Sequence, residues 1–288
     1  MTITQKESGA NQRILSLSEQ KLEKERLLVQ SIKALNAPCW FERSCKIAEK
    51  KIFINRFIYI VKIASLGQKS SDKILNICKH LDMPHPLRNA FKGMLPNVSY
   101  VLFGYEEGQT SCGYKVYGEF NIDKKTIPTL KEPFLAAMGF KWDAMDNAKQ
   151  VITHYTCFPS LSIEAVHNRM GYIFTPQHHK MTLDISKDIL ACVLERITLD
   201  DIFYLEAADG NNPRRSFDIN VYEAGLKMKD IDPAMKKLLQ HFSIPFEIYN
   251  RLYNQGADMK LGHLSGGIDR EGKEFATIYG GMEKTGEK

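Results

Sequence analysis

The feature that most narrows what this chain can fold into is a hairpin that recurs five times with helical stretches between. Runs at 38–61, 98–120 (VSYVLFGYEEGQTSCGYKVYGEF), 140–156 (FKWDAMDNAKQVITHYT), 201–224 and 261–281 each hold two apolar or aromatic segments around a short turn. The turns are predicted near 48–51, in the Gly-containing segment of the second run, and at 146–147, 209–210 and 269–272. Apolar residues at helical spacing fill 13–36, 70–95, 161–170, 185–197 and 226–254. No long linker interrupts this order, so a single domain over 1–288 is expected, with 1–12 and 283–288 flexible.

Ten antiparallel strands with helices between hairpins must cover one sheet face and dispose of two edges. Closing the sheet into a barrel, with helices outside, does both. Strand alternation supports this, because residues at i, i+2 and i+4 share a face. Four second strands carry a polar residue two positions before a tyrosine: Lys115 and Tyr117, Thr153 and Tyr155, Asn220 and Tyr222, Thr277 and Tyr279. In three of them the residues out of phase are aliphatic or alanine, as a wall packed on helices requires. The predicted lumen is therefore polar and lined with tyrosine. The competing account is a set of strand-end tyrosines whose rings pack while their hydroxyls reach solvent.

The basic excess is mild, a formal +5, and its residues are scattered rather than gathered into a stripe. This favours a small anionic ligand over nucleic acid. Six well-separated cysteines, with no C-x-x-C, read as reduced core residues of a cytoplasmic protein. The polar N-terminus lacks a signal peptide's apolar stretch, and Arg56 and Lys62 break the longest apolar run, so neither export nor membrane spanning is expected.

The stretch PCWFERSCKIAEKKIFINRFIYIV (38–61) places charges where a core strand should be apolar. Glu42, Ser44 and Lys46 share one face, with Glu42 and Lys46 about 13 Å apart at about 3.3 Å per residue. That separation suits contacts with two parts of one ligand better than a salt bridge, and Arg56 on the returning strand can join Lys46. The alternative is a solvated edge strand.

Glu42, Ser44-Cys45-Lys46-Ile47 and Arg56-Phe57 form the pattern E-x-S-C-K-I with R-F ten residues after the lysine. This resembles the first hairpin of the cyanobactin prenyltransferases, ABBA-type relatives that modify macrocyclic peptides. Gly139-Phe140 and the terminal T-I-Y-G-G at 277–281 extend the resemblance. It implies a ten-stranded antiparallel barrel ringed by helices, binding an isoprenyl diphosphate with magnesium (Mg2+) held through the diphosphate. The acceptor it implies is a cyclic peptide, and a monomer is expected because a closed barrel has no free edges.

On that resemblance Glu42 becomes the candidate base, and Lys46, Arg56 and Lys115 the candidate diphosphate ligands. Tyr117, Tyr155, Tyr222 and Tyr279 become a shield for an allylic cation, with Asn220 and Thr277 beside them in the lumen. Lys141 and His263 are further lumen candidates, the inward face at Lys141 being undecided. His154, out of phase with Tyr155, is expected outside. Arg214 and Arg215, after a loop proline, read as surface charges, and His178-His179 lacks a spaced acidic partner for a metal. There is no D-D-x-x-D, P-loop or G-x-G-x-x-G motif.

The reaction expected is transfer of a dimethylallyl or geranyl group to a peptide side chain, with Tyr ahead of Trp, Arg or His. A small-molecule aromatic prenyltransferase of the same fold is the enzymatic alternative. A non-catalytic barrel binding a hydrophobic anion or peptide is the other.

Overall fold

Each predicted hairpin forms in the computed structural model, which describes residues 15–122, 126–174 and 180–286. The strands are β1 (Cys39–Ala48), β2 (Lys51–Phe53), β3 (Arg56–Lys62), β4 (Val98–Glu107), β5 (Cys112–Phe120) and β6 (Phe134–Asp143). They continue as β7 (Gln150–Cys157), β8 (Phe203–Asp209), β9 (Arg215–Asn220), β10 (Leu261–Ile268) and β11 (Glu274–Thr285). Neighbours pair antiparallel in chain order, and β11 returns to pair with β1, Cys39 facing Thr285 and Ala48 facing Phe275. The result is a closed ten-stranded barrel. The three-residue β2 pairs with β1 at the tip of the first hairpin.

Two strands run longer than expected. Strand β6 starts at Phe134, well before Phe140, and β11 runs on through Glu283–Thr285, where a frayed end was expected from the polar sequence. Both extensions are held by ladder partners: Phe134 faces Cys157, and Thr285 faces Cys39. Backbone pairing outweighs side-chain polarity there, because each buried N–H and C=O needs a partner.

Seven α-helices ring the described barrel: α1 (Leu17–Lys33), α2 (Ser70–His80), α3 (His85–Met94), α4 (Ile163–Ile173), α5 (Lys180–Leu194), α6 (Asp232–His241) and α7 (Phe246–Gly256). Helix α1 starts at a capping box, Glu19 N–H donating to Ser16 Oγ at 3.3 Å and Ser16 N–H to Glu19 Oε2 at 2.9 Å.

The apolar core lies between barrel and helices rather than inside the barrel. On one side Val101, Phe103, Val116 and Phe140 meet Ile74, Leu87 and Phe91. On the other, Ile47, Ile219, Leu264 and Ile278 meet Ile185, Ile189 and Leu238. Burying each such side chain contributes about 1.5–3 kcal/mol. Large outer-face aromatics also tether the helices: Tyr105 and Tyr114 donate to the Lys21 and Lys24 carbonyls at 3.0 and 2.7 Å, and Trp142 Nε1 to the Leu81 carbonyl at 3.1 Å. The helices thus absorb the out-of-phase residues and leave the lumen to polar ones. All six cysteines are free, and no helix among the described residues is long and apolar enough to cross a membrane.

Candidate active site

The lumen is graded along the barrel axis from a basic end, through a belt of tyrosines, to an end carrying carboxylates and a histidine. The basic end opens into a cavity of about 880 Å³ whose lining includes Lys46, Arg56, Glu106, Lys141 and Arg270. Lys46 is on β1 with its Nζ 4.7 Å from the Phe275 ring centre, and Arg56 begins β3. Lys115 and Lys141 are direct cross-strand neighbours on β5 and β6. Glu106 joins the cluster, 2.6 Å from Arg56 Nη1 and in contact with Lys115 Nζ.

A second pair of cations enters from the turns. Asp209, whose side chain is 0% exposed, accepts from Arg270 Nε at 2.7 Å and from Thr153 Oγ1 at 2.6 Å, with Arg214 Nη1 at 3.4 Å. Arg214 therefore points inward, correcting its expected place on the surface, whereas Arg215 is exposed. Alternation could not reveal this, since Arg214 lies in the β8–β9 turn.

Six basic side chains thus crowd around two carboxylates. Burial, then the Arg56 charge, push the Lys115 ammonium down to about 7, and burial with the Arg214 and Lys115 charges holds Lys141 well below the lysine range. Burial also lowers Lys46, with Arg56 adding to it. Burial of Glu106 is outweighed by Arg56, Lys115 and Lys141, which keep it well below the usual carboxylate range. Two donors, Arg56 Nε and Arg270 Nη2, are buried with no hydrogen-bond partner among the described residues. Such donors are costly unless a ligand accepts from them.

The belt is made by Tyr117, Tyr155 and Tyr279. Tyr117 and Tyr155 meet edge-to-face with ring centres 5.7 Å apart, and Lys141 Nζ lies 5.9 Å from the Tyr117 ring centre, which settles that Lys141 faces inward. A Cβ at Gly139 would lie 2.8 Å from the Tyr117 ring and 3.2 Å from Tyr155, so glycine there is what admits both rings. Thr277, 2% exposed, lies between Lys46 and Ser265 in the ladder, at the basic side of the belt.

Beyond the belt is a cavity of about 460 Å³, lined by Glu42, Glu119, Asp218, Asn220, His263 and apolar residues that include Trp40, Ile58 and Met282. Glu42 is 2% exposed and accepts from Tyr222 Oη at 2.5 Å. Tyr222 departs from the expected strand: it opens a 3-10 turn after β9, Tyr222–Ala224, and its ring crosses into the lumen over Gly262. Any Cβ at Gly262 would overlap that ring. His263 Nδ1 is 2.8 Å from Asp218 Oδ1, and its ring meets those of Tyr222 and Tyr279 at 5.8 and 5.7 Å. Burial raises the Glu42 carboxyl, while the His263 charge and the Tyr222 hydrogen bond oppose it.

Every residue expected in the lumen is brought there, in two groups: Lys46, Arg56, Lys115, Lys141 and Thr277 toward the basic end, and Glu42, Asn220, Tyr222 and His263 at the other. Tyr117, Tyr155 and Tyr279 stand between. His154 is exposed, as phase predicts, and His178-His179 lies outside the described residues. Sequence reasoning missed Glu106, Glu119, Asp209, Asp218, Arg214 and Arg270. Asp218 and Glu119 were legible, two residues in phase from Asn220 and Tyr117.

No family model matches the chain, and no curated protein does. Solved structures of similar fold include 5-dimethylallyltryptophan synthase from Streptomyces coelicolor, with TM-score 0.62 and 10% identity over 92% of each chain. Prenyltransferase PriB in its ternary complex with L-tryptophan and dimethylallyl thiolodiphosphate gives 0.60 at 10% identity, over 92% of this chain and 91% of that one. NotF in complex with brevianamide F and DMSPP gives 0.53 at 9% identity, over 83% of this chain and 79% of that one. At these identities the likeness is one of fold, and that fold is the ABBA prenyltransferase barrel.

Proposed function

We propose that the chain is a prenyltransferase that moves a dimethylallyl or geranyl group from its diphosphate onto a side chain of a ribosomally made macrocyclic peptide. The observation that carries the transfer is the pair of buried, unpartnered donors, Arg56 Nε and Arg270 Nη2, in a basic cavity separated by tyrosines from a buried glutamate. A diphosphate in the basic cavity would satisfy those donors. Breaking the allylic C–O bond leaves negative charge on the diphosphate, which Lys46, Arg56, Lys115, Lys141, Arg214 and Arg270 stabilise. The allylic cation then faces Tyr117, Tyr155 and Tyr279, each cation–π contact contributing about 2 kcal/mol when desolvated. As the acceptor attacks, its proton passes to Glu42, whose other oxygen is held by Tyr222.

The donor set at the basic end does not fit a protein-bound magnesium ion. Glu106 and Asp209 are both engaged by guanidinium or ammonium groups, and no cluster of three or more His, Cys, Asp or Glu among the described residues could hold a metal. The magnesium that the resemblance implies would be carried by the diphosphate, and the steps above use the protein's own cations.

The peptide acceptor rests on the E-x-S-C-K-I hairpin, whose Glu42, Lys46 and Arg56 all face the lumen, and on apolar Trp40, Ile60, Tyr100, Leu205 and Met282 around the acceptor cavity. The second reading is a small aromatic acceptor, favoured by the fold's likeness to a dimethylallyltryptophan synthase. Incubation with dimethylallyl or geranyl diphosphate and either cyclic peptides presenting Tyr, Trp, Arg or His or free tryptophan and phenols, followed by mass spectrometry, separates the two. A gain of one isoprenyl unit on peptides alone supports the first. A gain on free aromatics alone supports the second, and no gain with no diphosphate released overturns both in favour of a binding barrel.

A further inference from the structure

The base assigned to Glu42 has a physical difficulty. A carboxylate 2% exposed in a protein lumen is driven to take up a proton, and a protonated glutamate accepts nothing from a substrate. The Tyr222 hydroxyl supplies one hydrogen bond, at 2.5 Å. The other groups facing Glu42 are Ile58 from β3, which is apolar, Tyr279 from β11, and two further carboxylates, Asp218 from β9 and Glu119 from β5. The carboxylates make ionisation harder.

His263, on β10, is built to oppose them. Its Nδ1 donates to Asp218 at 2.8 Å, which fixes the ring and favours the doubly protonated imidazolium. Tyr222 and Tyr279 meet the ring edge-to-face at 5.8 and 5.7 Å, so it cannot swing away. Tyr222 is also the residue that grips Glu42, so base and imidazolium share one support. Charges that meet inside a lumen interact far more strongly than in water. Lys46, Arg56, Lys115, Lys141, Arg214 and Arg270 cannot do this work, because they lie at the opposite end of the barrel with Glu106 and Asp209. Lys260, whose Nζ is 5.7 Å from the Tyr222 ring centre, is exposed, and solvent screens its charge.

We infer that His263, oriented by Asp218 and enclosed between Tyr222 and Tyr279, is the positioning residue that holds Glu42 as a carboxylate at neutral pH. The inference rests on the reading of Glu42 as the base, and it adds the group that keeps that base usable. Consistent with this, the Asp218 charge and hydrogen bond outweigh burial and hold the His263 imidazolium up to about 9.

Infrared difference spectroscopy, with Glu42→Gln used to assign the Glu42 carboxyl band, tests it on the free protein. At pH 7 the wild type is expected to lack the protonated-carboxyl band, His263→Gln to show it, and His263→Lys, which restores a cation, to lose it again. A His263→Gln protein without the band, or a wild type with it, overturns the inference. If His263→Gln fails to fold, ¹⁵N-histidine NMR on the wild type decides: a doubly protonated His263 ring through pH 8 supports the inference, and a neutral one at pH 7 overturns it. Absence of prenyl transfer from every donor would sink the reading of Glu42 as a base, and the two spectroscopic results are read independently of it.

Discussion

Tyr222 donates its hydroxyl to Glu42 across 2.5 Å although 180 residues separate them in the chain. The contact ties the turn after β9 to the first strand and fixes one carboxylate oxygen, leaving the other to face the cavity. Replacing Glu42 by Gln is expected to lower turnover about 10²-fold or more while leaving pyrophosphate affinity unchanged, measured by single-turnover kinetics and calorimetry. Equal turnover would remove Glu42 from the chemistry.

Gly262 is where that contact is made possible, because the Tyr222 ring occupies the space a Cβ would need. Gly262→Ala is therefore expected to displace Tyr222 and raise the pH at which Glu42 ionises, moving the acid limb of the rate profile upward. Tyr222→Phe should move the same limb in the same direction, since it removes only the hydrogen bond. An unshifted limb in both variants would show that the Tyr222 hydroxyl does not set the base.

The belt makes a distinction between rings and hydroxyls. If Tyr117 and Tyr155 stabilise a cation through their π faces, Tyr155→Phe should retain most activity while Tyr155→Leu loses about 30-fold, the equivalent of about 2 kcal/mol. A comparable loss in both variants would assign the effect to the hydroxyl. Purified variants compared at saturating donor give the answer.

Donor binding should take up protons. With the Lys115 ammonium pushed down to about 7 and Lys141 also lowered, a fraction of these lysines is neutral at pH 8 in the empty protein. A bound diphosphate raises both back toward the ordinary lysine range. Calorimetry of pyrophosphate binding at pH 8 in buffers of different ionisation enthalpy is expected to show net proton uptake, larger at pH 8 than at pH 6. The same depression costs the free protein stability as pH falls from the ordinary lysine range through about 7, so ligand-free stability drops over that window and pyrophosphate restores it.

Asp209 holds Arg214 and Arg270 with a side chain that is 0% exposed. Asp209→Ala would leave two guanidinium groups without their buried counter-ion, and a loss of about 3–5 kcal/mol is expected in denaturant unfolding. Adding pyrophosphate should recover part of it. No loss of stability would show that the two arginines find solvent instead.

The period of two in the strands, and its switch to helical spacing between hairpins, determined the barrel from sequence alone, because which side of a strand a residue faces depends only on its neighbours. The same local rule put Lys115, Tyr117, Thr153, Tyr155 and Tyr279 in the lumen and His154 outside. It failed where phase is broken. Arg214 and Arg270 lie in turns that no alternation governs. Tyr222 does reach the lumen, but from the turn after β9, where its path depends on the space left at Gly262. Extra residues in β10 and β11 shift the register beside Glu42 and His263. Glu106 meets Arg56 and Lys115, and Asp218 meets His263, across neighbouring strands, but which groups meet Glu42 was decided only when β11 closed onto β1. Ring closure sets distances between residues far apart in sequence, and with them the Tyr222–Glu42 contact and the ionisation of Glu42.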